Sequence, residues 1–488
     1  MRLSILIPLI VYLLFMVGIG FFFSKKQSSL EGFFLGDRSL GGWVVAFSYA
    51  FSAMSGWVLV GYVGTVYIMG PSSFYLLIGF NLGFMVGYLV YGKRLRNYSE
   101  ILGSVTYTEF FVSRVRGFAS GIRIVSALAI IVFMSAYVAS QLAATGKTLS
   151  VVFGLPFGTI IIIAGIVIAL YCLVGGFASV AVNDFVQGVL IVIGIIVLAI
   201  VVIAKAGGPS EIASAAAKID PNLVNVSLGG KTGIALFGAI IGQLLFGLQV
   251  LGRPHDTIRF FAIKSSAEIK KSLIVCLASL TVTYWCAFAI GYAGRVMYPD
   301  MTDPEQLFAF LIAQDVVHPV VGGILLTVFM GLMMSTVSSQ LLSAGTTLGE
   351  DLIHKYVLKN SSEKAVVRAT QVSIAVVAAA GIIFAINSTS SVFDLTVYAS
   401  SGLAATYACV LFLALYWKKL TGAGAFVGMI SGFVVCAAWQ QLGLSTIVIS
   451  GAPAMLVSMV LAIVVSLLTK QPYEKEIEEE IKRAARDI

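Results

Sequence analysis

Long apolar runs separated by short polar stretches recur along the whole chain. A run of about 20 apolar residues is the length that an α-helix needs to cross a bilayer core of roughly 30 Å. Such runs lie near residues 3–23, 40–69, 73–91, 120–146, 157–176, 178–204, 233–252, 272–294, 319–348, 366–386, 391–416, 421–441 and 446–468. The pattern predicts an all-α polytopic membrane protein with thirteen transmembrane helices.

The polar stretches between these runs are short, and the longest are 92–119, 205–232, 295–318 and 349–365. None is long enough for a soluble domain, so residues 1–488 are predicted to form a single transmembrane domain. The composition agrees, because 59% hydrophobic and 11% charged residues are far from the balance of a soluble protein of 488 residues. Residues 469–488 are predicted to form a charged, helical tail.

Lysine and arginine residues fall mostly in alternate loops and in the tail. If the chain has thirteen spans, these alternate loops and the tail lie on one face of the membrane. That face holds 25 of the 31 Lys and Arg residues, Lys25 and Lys26 among them. The other face holds the remaining six: Arg2, Lys147, Lys205, Lys218, Lys231 and Arg295. Because cytoplasmic loops carry the excess of basic residues, we expect a cell-membrane protein with its N-terminus outside and its C-terminus in the cytoplasm. The net charge of +8 then reflects topology, and no nucleic acid partner is expected.

The sequence offers little for catalysis or for an ATP-driven pump. It has three histidines, no Cys/His cluster and no Gly-x-x-x-x-Gly-Lys motif for phosphate binding. The five cysteines lie inside apolar runs without the spacing of metal ligands. We therefore expect no enzyme, no cofactor and no obligate protein partner.

The stretch "SAMSGW", residues 52 to 57, places polar residues in the middle of the second apolar run. Gly56 has low helix propensity, and Ser52 and Ser55 compete for backbone hydrogen bonds, so the helix is predicted to break there. A break frees backbone carbonyls, which are suitable ligands for a small hard cation at mid-membrane. The alternative is that the small residues only allow close helix packing.

A second interruption is predicted in "GLQVLGRPHD", residues 247 to 256, where Gln249 and Arg253 precede Pro254. It lies five apolar runs after the first. That spacing is expected for an inverted repeat of five helices each, with two broken helices in matching places around a binding site. A plain proline kink is the alternative.

The stretch "MSTVSSQLLSAG", residues 334 to 345, carries hydroxyl groups within the ninth run. Ser335, Ser338 and Ser339 share one face of a helix, with Thr336 beside it. Together with Asp184, a carboxylate inside the sixth run, these oxygens could bind Na⁺. The serines could instead bond back to carbonyls of the preceding turn.

Several stretches in this order resemble a known family: "GFFLGDRSLGGWV" leading into "MSGW", then "AVNDFVQG", "GRPHDTIRF", "MSTVSSQLL" followed by "EDL", and "WKKLTGAGAFVGMISG". The chain resembles the sodium:solute symporter family over nearly its full length, and the sodium/proline symporter branch most closely. The resemblance implies a thirteen-helix, leucine-transporter-like fold. Its inverted repeats of five helices would be helices 2–6 (residues 40–204) and helices 7–11 (residues 233–416).

The resemblance also implies two ion sites. The shared sodium site would use the carbonyls of Phe51, Met54 and Leu332 and the hydroxyls of Ser335 and Thr336. A second sodium, present in some members, would be held by Asp184, Ser335, Ser338 and Ser339.

For the solute, the resemblance implies a pocket at the helix 2 break, a Tyr on helix 4 and aromatic residues on helix 7. Ser55, Trp57 and Tyr137 match this pattern. Phe246 and Val250 depart from it, because the proline branch has Trp and Tyr there, and Gln249 lies between them. Ala53 also departs, since proline transporters carry Asp at that position, which puts proline as the solute in doubt.

These features predict a secondary active symporter that couples inward Na⁺ flux to the uptake of a small organic solute. The first expectation is an amino acid such as proline. The alternatives are H⁺ coupling with Asp184 as the proton carrier, another solute such as a carboxylate or a sugar, and a sensor built on a transporter fold. The expected partners are Na⁺, the solute and the lipid bilayer.

Overall fold

The structure is a computed structural model that describes residues 3–24, 30–446 and 448–486. Arg2, Lys25 and Lys26, which contribute to the predicted topology, lie outside these ranges, as do the last two residues of the tail. The described residues form helices and no β-strand, with one isolated bridge between Leu40 and Ile263.

The first half of the chain contains eleven α-helices. They are α1 (Leu3–Ser24), α2 (Leu30–Leu35), α3 (Gly42–Met54), α4 (Val63–Met69), α5 (Phe74–Val86), α6 (Lys93–Ile101), α7 (Tyr107–Val115), α8 (Ala119–Ala129), α9 (Ser135–Phe153), α10 (Phe157–Lys205) and α11 (Pro209–Ile219). π-Helical turns at Val58–Tyr62, Gly87–Gly92 and Ile130–Met134 lead into α4, α6 and α9.

The second half contains ten more. They are α12 (Gly233–Gly247), α13 (Pro254–Ala262), α14 (Glu268–Met297), α15 (Leu307–Ala313), α16 (Pro319–Thr346), α17 (Glu363–Asn387), α18 (Val392–Tyr416), α19 (Gly422–Gln441), α20 (Gly451–Leu468) and α21 (Glu474–Ala484). A 3₁₀ stretch at Leu248–Gly252 separates α12 from α13, and a π-helical stretch at Thr347–His354 extends α16.

Within the described residues, ten helical stretches are long and apolar enough to cross a membrane. Three shorter apolar helices are Gly42–Met54, Phe157–Leu170 and Pro304–Ala313. The chain is therefore a multi-pass membrane protein. The predicted count of thirteen spans is not confirmed by these helices.

The fifth and sixth predicted spans lie in one helix, α10, which has 49 residues. A straight helix of this length would measure about 74 Å, and it would separate Ile168 from Gln187 by about 28 Å. However, Gln187 packs against Gly331 of α16, while Ile168 lines a cavity beside the neighbouring Met330. Helix α10 therefore bends back on itself, and its two arms lie along the same part of α16.

Helices α5 and α12 approach each other closely through glycines. A Cβ atom added to Gly247 would overlap the backbone of Gly79, and one added to Gly83 would overlap the Gly247 carbonyl. Only residues without a side chain allow two helix backbones to come this near. This glycine contact lies directly before the point where α12 ends.

The tail forms helix α21, as predicted, and packs against helix α6 and two loops from earlier in the chain. The Asn97 side chain donates hydrogen bonds to two tail carbonyls, and Tyr98 and Arg116 both contact Glu480. Lys418 forms ion pairs with Glu478 at 2.7 Å and with Glu474 at 3.2 Å. The hydrogen bonds from Lys418 and Lys482 lower the pKa of Glu478 to about 2, so this contact keeps its charge at every physiological pH.

Candidate functional site

The first predicted helix break is present and lies at Ser55. Helix α3 ends at Met54, and Ser55 adopts φ 51° and ψ −179°, a backbone conformation that non-glycine residues rarely adopt. The Gly56 N–H, no longer part of the α3 ladder, donates to the Gln141 side chain of α9 at 3.1 Å. The Trp57 N–H donates to the Ser55 hydroxyl at 3.1 Å. The break is therefore held by a buried side chain from another helix.

The structure brings this break against the hydroxyl-bearing part of α16. The Thr336 hydroxyl donates to the Ser52 carbonyl at 3.0 Å. The five residues of the predicted shared sodium site are all buried and lie on these two segments: Phe51, Met54, Leu332, Ser335 and Thr336. The Ser335 hydroxyl has no hydrogen-bond partner among the described residues. The contact therefore assembles carbonyl and hydroxyl oxygens of the kind that bind a hard cation.

The predicted second sodium site has a different arrangement, because a guanidinium group lies among its residues. Arg259 of α13 donates from Nη2 to Asp184 at 2.9 Å and to the Ser339 hydroxyl at 2.7 Å. Its Nε donates to Ser48 at 2.7 Å, and Ser48 in turn donates to Asp184 at 2.5 Å. Asp184 thus already has a buried positive partner.

Ser338 does not join this group. Its hydroxyl donates to the Ser335 carbonyl at 3.0 Å, which is the back-bonding considered as the alternative for these serines. Sequence reasoning also missed Arg259. The signal was present, because a carboxylate buried at membrane depth requires a positive partner, and Arg259 lies in the quoted stretch "GRPHDTIRF".

The second predicted break extends over several residues. Helix α12 ends at Gly247, the 3₁₀ stretch follows, and Arg253 is extended at φ −85° and ψ 113° before Pro254 begins α13. Gln249 donates to the Ser401 hydroxyl at 2.8 Å. The change from α-helix to 3₁₀ helix to extended backbone is more than a proline kink.

Charged side chains cluster directly after this second break. Arg253, His255, Asp256 and Arg259 are all buried, with at most 3% of their side chains exposed. Arg253 donates from Nη1 to the Tyr137 hydroxyl at 2.8 Å, and its Nε lies 2.6 Å from an Asp256 carboxylate oxygen. Buried charges of this kind require partners, which each arginine here has in an aspartate.

Most of the predicted solute residues meet between the two breaks. The Trp57 and Phe246 rings lie 6.0 Å apart, and the Tyr137 hydroxyl lies near Ser55. Gln249 is in the adjacent 3₁₀ stretch. Val250 is buried in the same stretch, where its carbonyl accepts from the Arg253 N–H at 3.4 Å.

The Tyr62 ring, five residues along the chain, lies 5.6 Å from the Trp57 ring. Three further rings come from other helices and were not predicted: Phe80 at 5.2 Å, Phe393 at 6.0 Å and Tyr284 at 6.2 Å. Phe393 comes from the start of α18. Its N–H donates to Glu305 at 3.0 Å, and Glu305 also pairs with Lys147 at 2.7 Å. No local sequence signal identifies these rings, because each comes from a different helix.

Buried polar atoms without a hydrogen-bond partner among the described residues also occur in this region: Trp57 Nε1, Tyr284 OH, Gln249 Oε1 and Arg253 Nη2. Such atoms are uncommon in folded proteins because each costs free energy. Together with the rings they form a buried centre with both apolar faces and free polar groups. Such a combination is typical of a binding site for a small organic molecule.

Comparison with solved structures defines the class of the protein. The chain matches the substrate-bound outward-open state of a Na⁺-coupled sialic acid symporter with a TM-score of 0.81 at 19% identity, over 96% of this chain and 98% of that one. It also matches Mhp1, a nucleobase-cation-symport-1 family transporter, with a TM-score of 0.58 at 12% identity, over 92% of this chain and 98% of that one. The fold is that of a multi-pass membrane transporter.

Comparison of sequences defines the family. The model of the sodium:solute symporter family matches residues 33–432. The osmoregulated proline transporter OpuE of Bacillus subtilis is 32% identical over 97% of this chain and 96% of its own. A sodium/proline symporter of Staphylococcus aureus (strain USA300) is 34% identical over 96% of this chain and 93% of its own. The chain belongs to the sodium:solute symporter family.

Proposed function

We propose that this protein couples the inward flux of Na⁺ to the uptake of a small organic solute. The observation that carries the proposal is the contact between the broken α3 and α16, where the Thr336 hydroxyl meets the Ser52 carbonyl at 3.0 Å. The oxygens gathered there suit Na⁺, and the family is one of sodium symporters. No cofactor other than the coupling ion is part of the proposal.

The coupling ion binds between the two segments. Its ligands are the carbonyls of Phe51, Met54 and Leu332 and the hydroxyls of Ser335 and Thr336. One Na⁺ binds in this conformation. A second ion at Asp184, Ser335, Ser338 and Ser339 requires Arg259 to move first, since Arg259 already bonds Asp184 and Ser339. The same ion pair disfavours Asp184 as a proton carrier, and therefore disfavours H⁺ coupling.

The proposal includes thirteen spanning helices with inverted repeats at residues 40–204 and 233–416. The two breaks support the repeats, because they fall in corresponding places five spans apart. The C-terminus is cytoplasmic and the N-terminus is outside. This orientation is supported by the tail helix, which forms ion pairs with Arg116 and Lys418, basic residues of two loops on the same side of the proposed topology.

The first candidate for the solute is proline or a similar amino acid. Two relatives over nearly the whole chain are named as proline transporters. The site differs from the proline branch at Ala53, Phe246 and Val250, all of which are buried. Ser55, Trp57, Tyr137 and Gln249 complete the solute contacts.

Transport follows from reciprocal stabilisation. Na⁺ orders the α3 break against α16, which raises affinity for the solute, and the solute raises affinity for Na⁺ by the same factor. The membrane potential supplies about 2.3 kcal/mol per charge per 100 mV. That is enough to accumulate a neutral solute more than about tenfold. Rocking of one repeat against the other then releases Na⁺ and the solute into the cytoplasm.

A thermal-shift screen of the purified protein against amino acids, sugars and carboxylates, in NaCl and in choline chloride, tests this function. A compound that stabilises the protein only with Na⁺ identifies both the solute and the coupling ion. Uptake into proteoliposomes that is indifferent to a Na⁺ gradient but driven by a pH gradient would reject Na⁺ coupling.

A further inference from the structure

We propose that Arg253 binds a carboxylate group of the solute, and that the transported compound is therefore a carboxylic acid or an amino acid and not a sugar. The inference rests on the transport function proposed above and narrows it to one class of solute. Four observations support it: the position of Arg253, its free donor, the charge balance around it and the rings beside it.

The second helix break places Arg253 at the centre of the protein. The residue is extended where the 3₁₀ stretch ends, and only 2% of it is exposed. Its Nη1 donates to the Tyr137 hydroxyl of α9 at 2.8 Å, and Gln141, four residues further along α9, accepts from the Gly56 N–H at the first break at 3.1 Å. The guanidinium therefore lies between the two broken helices, where a solute would bind.

One donor group of Arg253 is free. The Nη2 atom is buried and has no hydrogen-bond partner in the described part of the chain. Arg259 differs, because its Nε, Nη1 and Nη2 donate to Ser48, to the His255 carbonyl and to Asp184. A buried guanidinium with an unused donor is costly, and a carboxylate is the acceptor that matches its geometry best.

The charges around Arg253 cancel before any solute binds. Arg253 lies 2.6 Å from Asp256, and Arg259 lies 2.9 Å from Asp184. An anionic acid arriving with one Na⁺ preserves this balance, whereas an amino acid is a zwitterion and brings a carboxylate for Arg253 together with its own positive charge. The charge cluster also reaches the helix of the proposed ion site, because Arg259 donates to Ser339 of α16 at 2.7 Å, three residues after Thr336. The positive charge of Na⁺ and the negative charge of the solute carboxylate therefore each lower the free-energy cost of burying the other.

The apolar part of such a solute has a surface to contact. The Arg253 guanidinium lies 5.8 Å from the centre of the Tyr137 ring, and the Trp57 ring beside the first break lies 6.2 Å from the Tyr284 ring. An acid with a short apolar body would place its carboxylate on Arg253 and its body against these rings. A sugar has hydroxyl groups on all sides and no charge to match the guanidinium.

The test measures binding to the purified full-length protein by thermal shift, in NaCl and in choline chloride. The probes are two acid and amide pairs, L-proline with L-prolinamide and L-lactate with L-lactamide, together with glucose. At least one acid is expected to stabilise the protein, with its amide binding at least about tenfold more weakly. This comparison needs no variant, so it stands even where a substitution prevents folding.

The variant Arg253→Gln is expected to weaken binding of the acid by about 30-fold or more, while Arg253→Lys retains part of the affinity. Arg114→Gln is the matched control. Arg114 is equally buried and also has a donor, Nη1, without a hydrogen-bond partner in the described part of the chain, but its Nε and Nη2 donate to the backbone carbonyls of Ala414 and Trp417, away from both breaks. Its substitution is expected to leave the affinity for the acid unchanged.

Three outcomes would overturn the inference: glucose or an amide binding as tightly as the acids, no acid binding at all, or Arg253→Gln retaining full affinity for the acid. The outcomes also separate this inference from the coupling proposal. Acid binding that requires Arg253 but not Na⁺ supports the carboxylate site and rejects Na⁺ coupling. Na⁺-dependent binding of glucose supports the coupling and rejects the carboxylate site.

Discussion

At Ser55 the first helix break turns within a single residue, whereas the second extends over the six residues from Leu248 to Arg253. The first break contains no charged residue, and its Thr336 contact is to a backbone carbonyl. The second break ends at Arg253, and His255 and Asp256 follow it directly. All three residues are buried. The proposed inverted repeats place the two breaks in corresponding positions, but the two breaks offer different chemical groups.

This difference indicates a division of roles. Backbone carbonyls and neutral hydroxyls bind a small cation without adding a formal charge to the membrane interior. A guanidinium binds an anionic group, but it must itself be neutralised when no solute is present, which Asp256 does. The first break therefore suits the ion and the second suits the solute, and substitutions at the two should have separable effects.

The largest effect is expected from Arg259→Gln, which leaves Asp184 buried without its positive partner. Breaking a buried ion pair from one side costs about 3–5 kcal/mol. The thermal unfolding midpoint in detergent should fall markedly. The double variant Arg259→Gln with Asp184→Asn should recover much of this loss, because no unpaired charge remains. If Arg259→Gln alone were as stable as the unmodified protein, the stability of the second break would not depend on the ion pair between Arg259 and Asp184.

A smaller loss of stability is expected from Gly247→Ala at the end of α12. The added methyl group meets the backbone of Gly79, which cannot move aside, so overpacking should cost about 1–3 kcal/mol. Gly56→Ala at the first break is the control. Its methyl group overlaps only the flexible end of the Met333 side chain and lies at an ordinary contact distance of 3.5 Å from the Phe329 ring. Equal unfolding midpoints for the two variants would contradict the view that only the second break is held by a backbone contact.

The smallest effect is expected from Thr336→Val, which keeps the side-chain shape and removes the hydroxyl that meets the Ser52 carbonyl. The apparent affinity for Na⁺ should fall about fivefold, in line with a hydrogen bond of roughly 1 kcal/mol. The apparent affinity for Na⁺ is measured from the dependence of solute binding on Na⁺ concentration. Thr327→Val on the same helix is the control, since Thr327 bonds only the Gly323 carbonyl of its own helix. An equal fall in Na⁺ affinity in Thr336→Val and Thr327→Val would argue against ion binding at the first break.

The sequence predicted both breaks because the residues that cause them are local. Gly56 and the two serines before it lower the local helix propensity, and Pro254 cannot continue the ladder of α12. The tail helix was predictable for the same reason, since its alternating charges act within a few residues. The helical class followed from the length of the apolar runs alone.

Other features depend on which helices meet, and the sequence does not show this. Arg259 and Asp184 are 75 residues apart, and only packing of α13 against α10 and α16 joins them. Phe393 reaches Trp57 because Glu305, from a loop 87 residues earlier, binds the start of α18. The role of Ser338 was left open for the same reason, because its hydroxyl could equally face a neighbour or bond its own helix.

The tail helix also sets an order for assembly. Helix α21 is synthesised after all the spanning helices, yet Asn97, Tyr98 and Arg116, which it contacts, leave the ribosome when about a quarter of the chain has been made. The polar groups of these three residues therefore have no partner in α21 until the later helices have been inserted. Closure of this end of the molecule is a late step in its biogenesis, and a chain interrupted before Glu474 would expose an unfinished surface to the quality control of the cell.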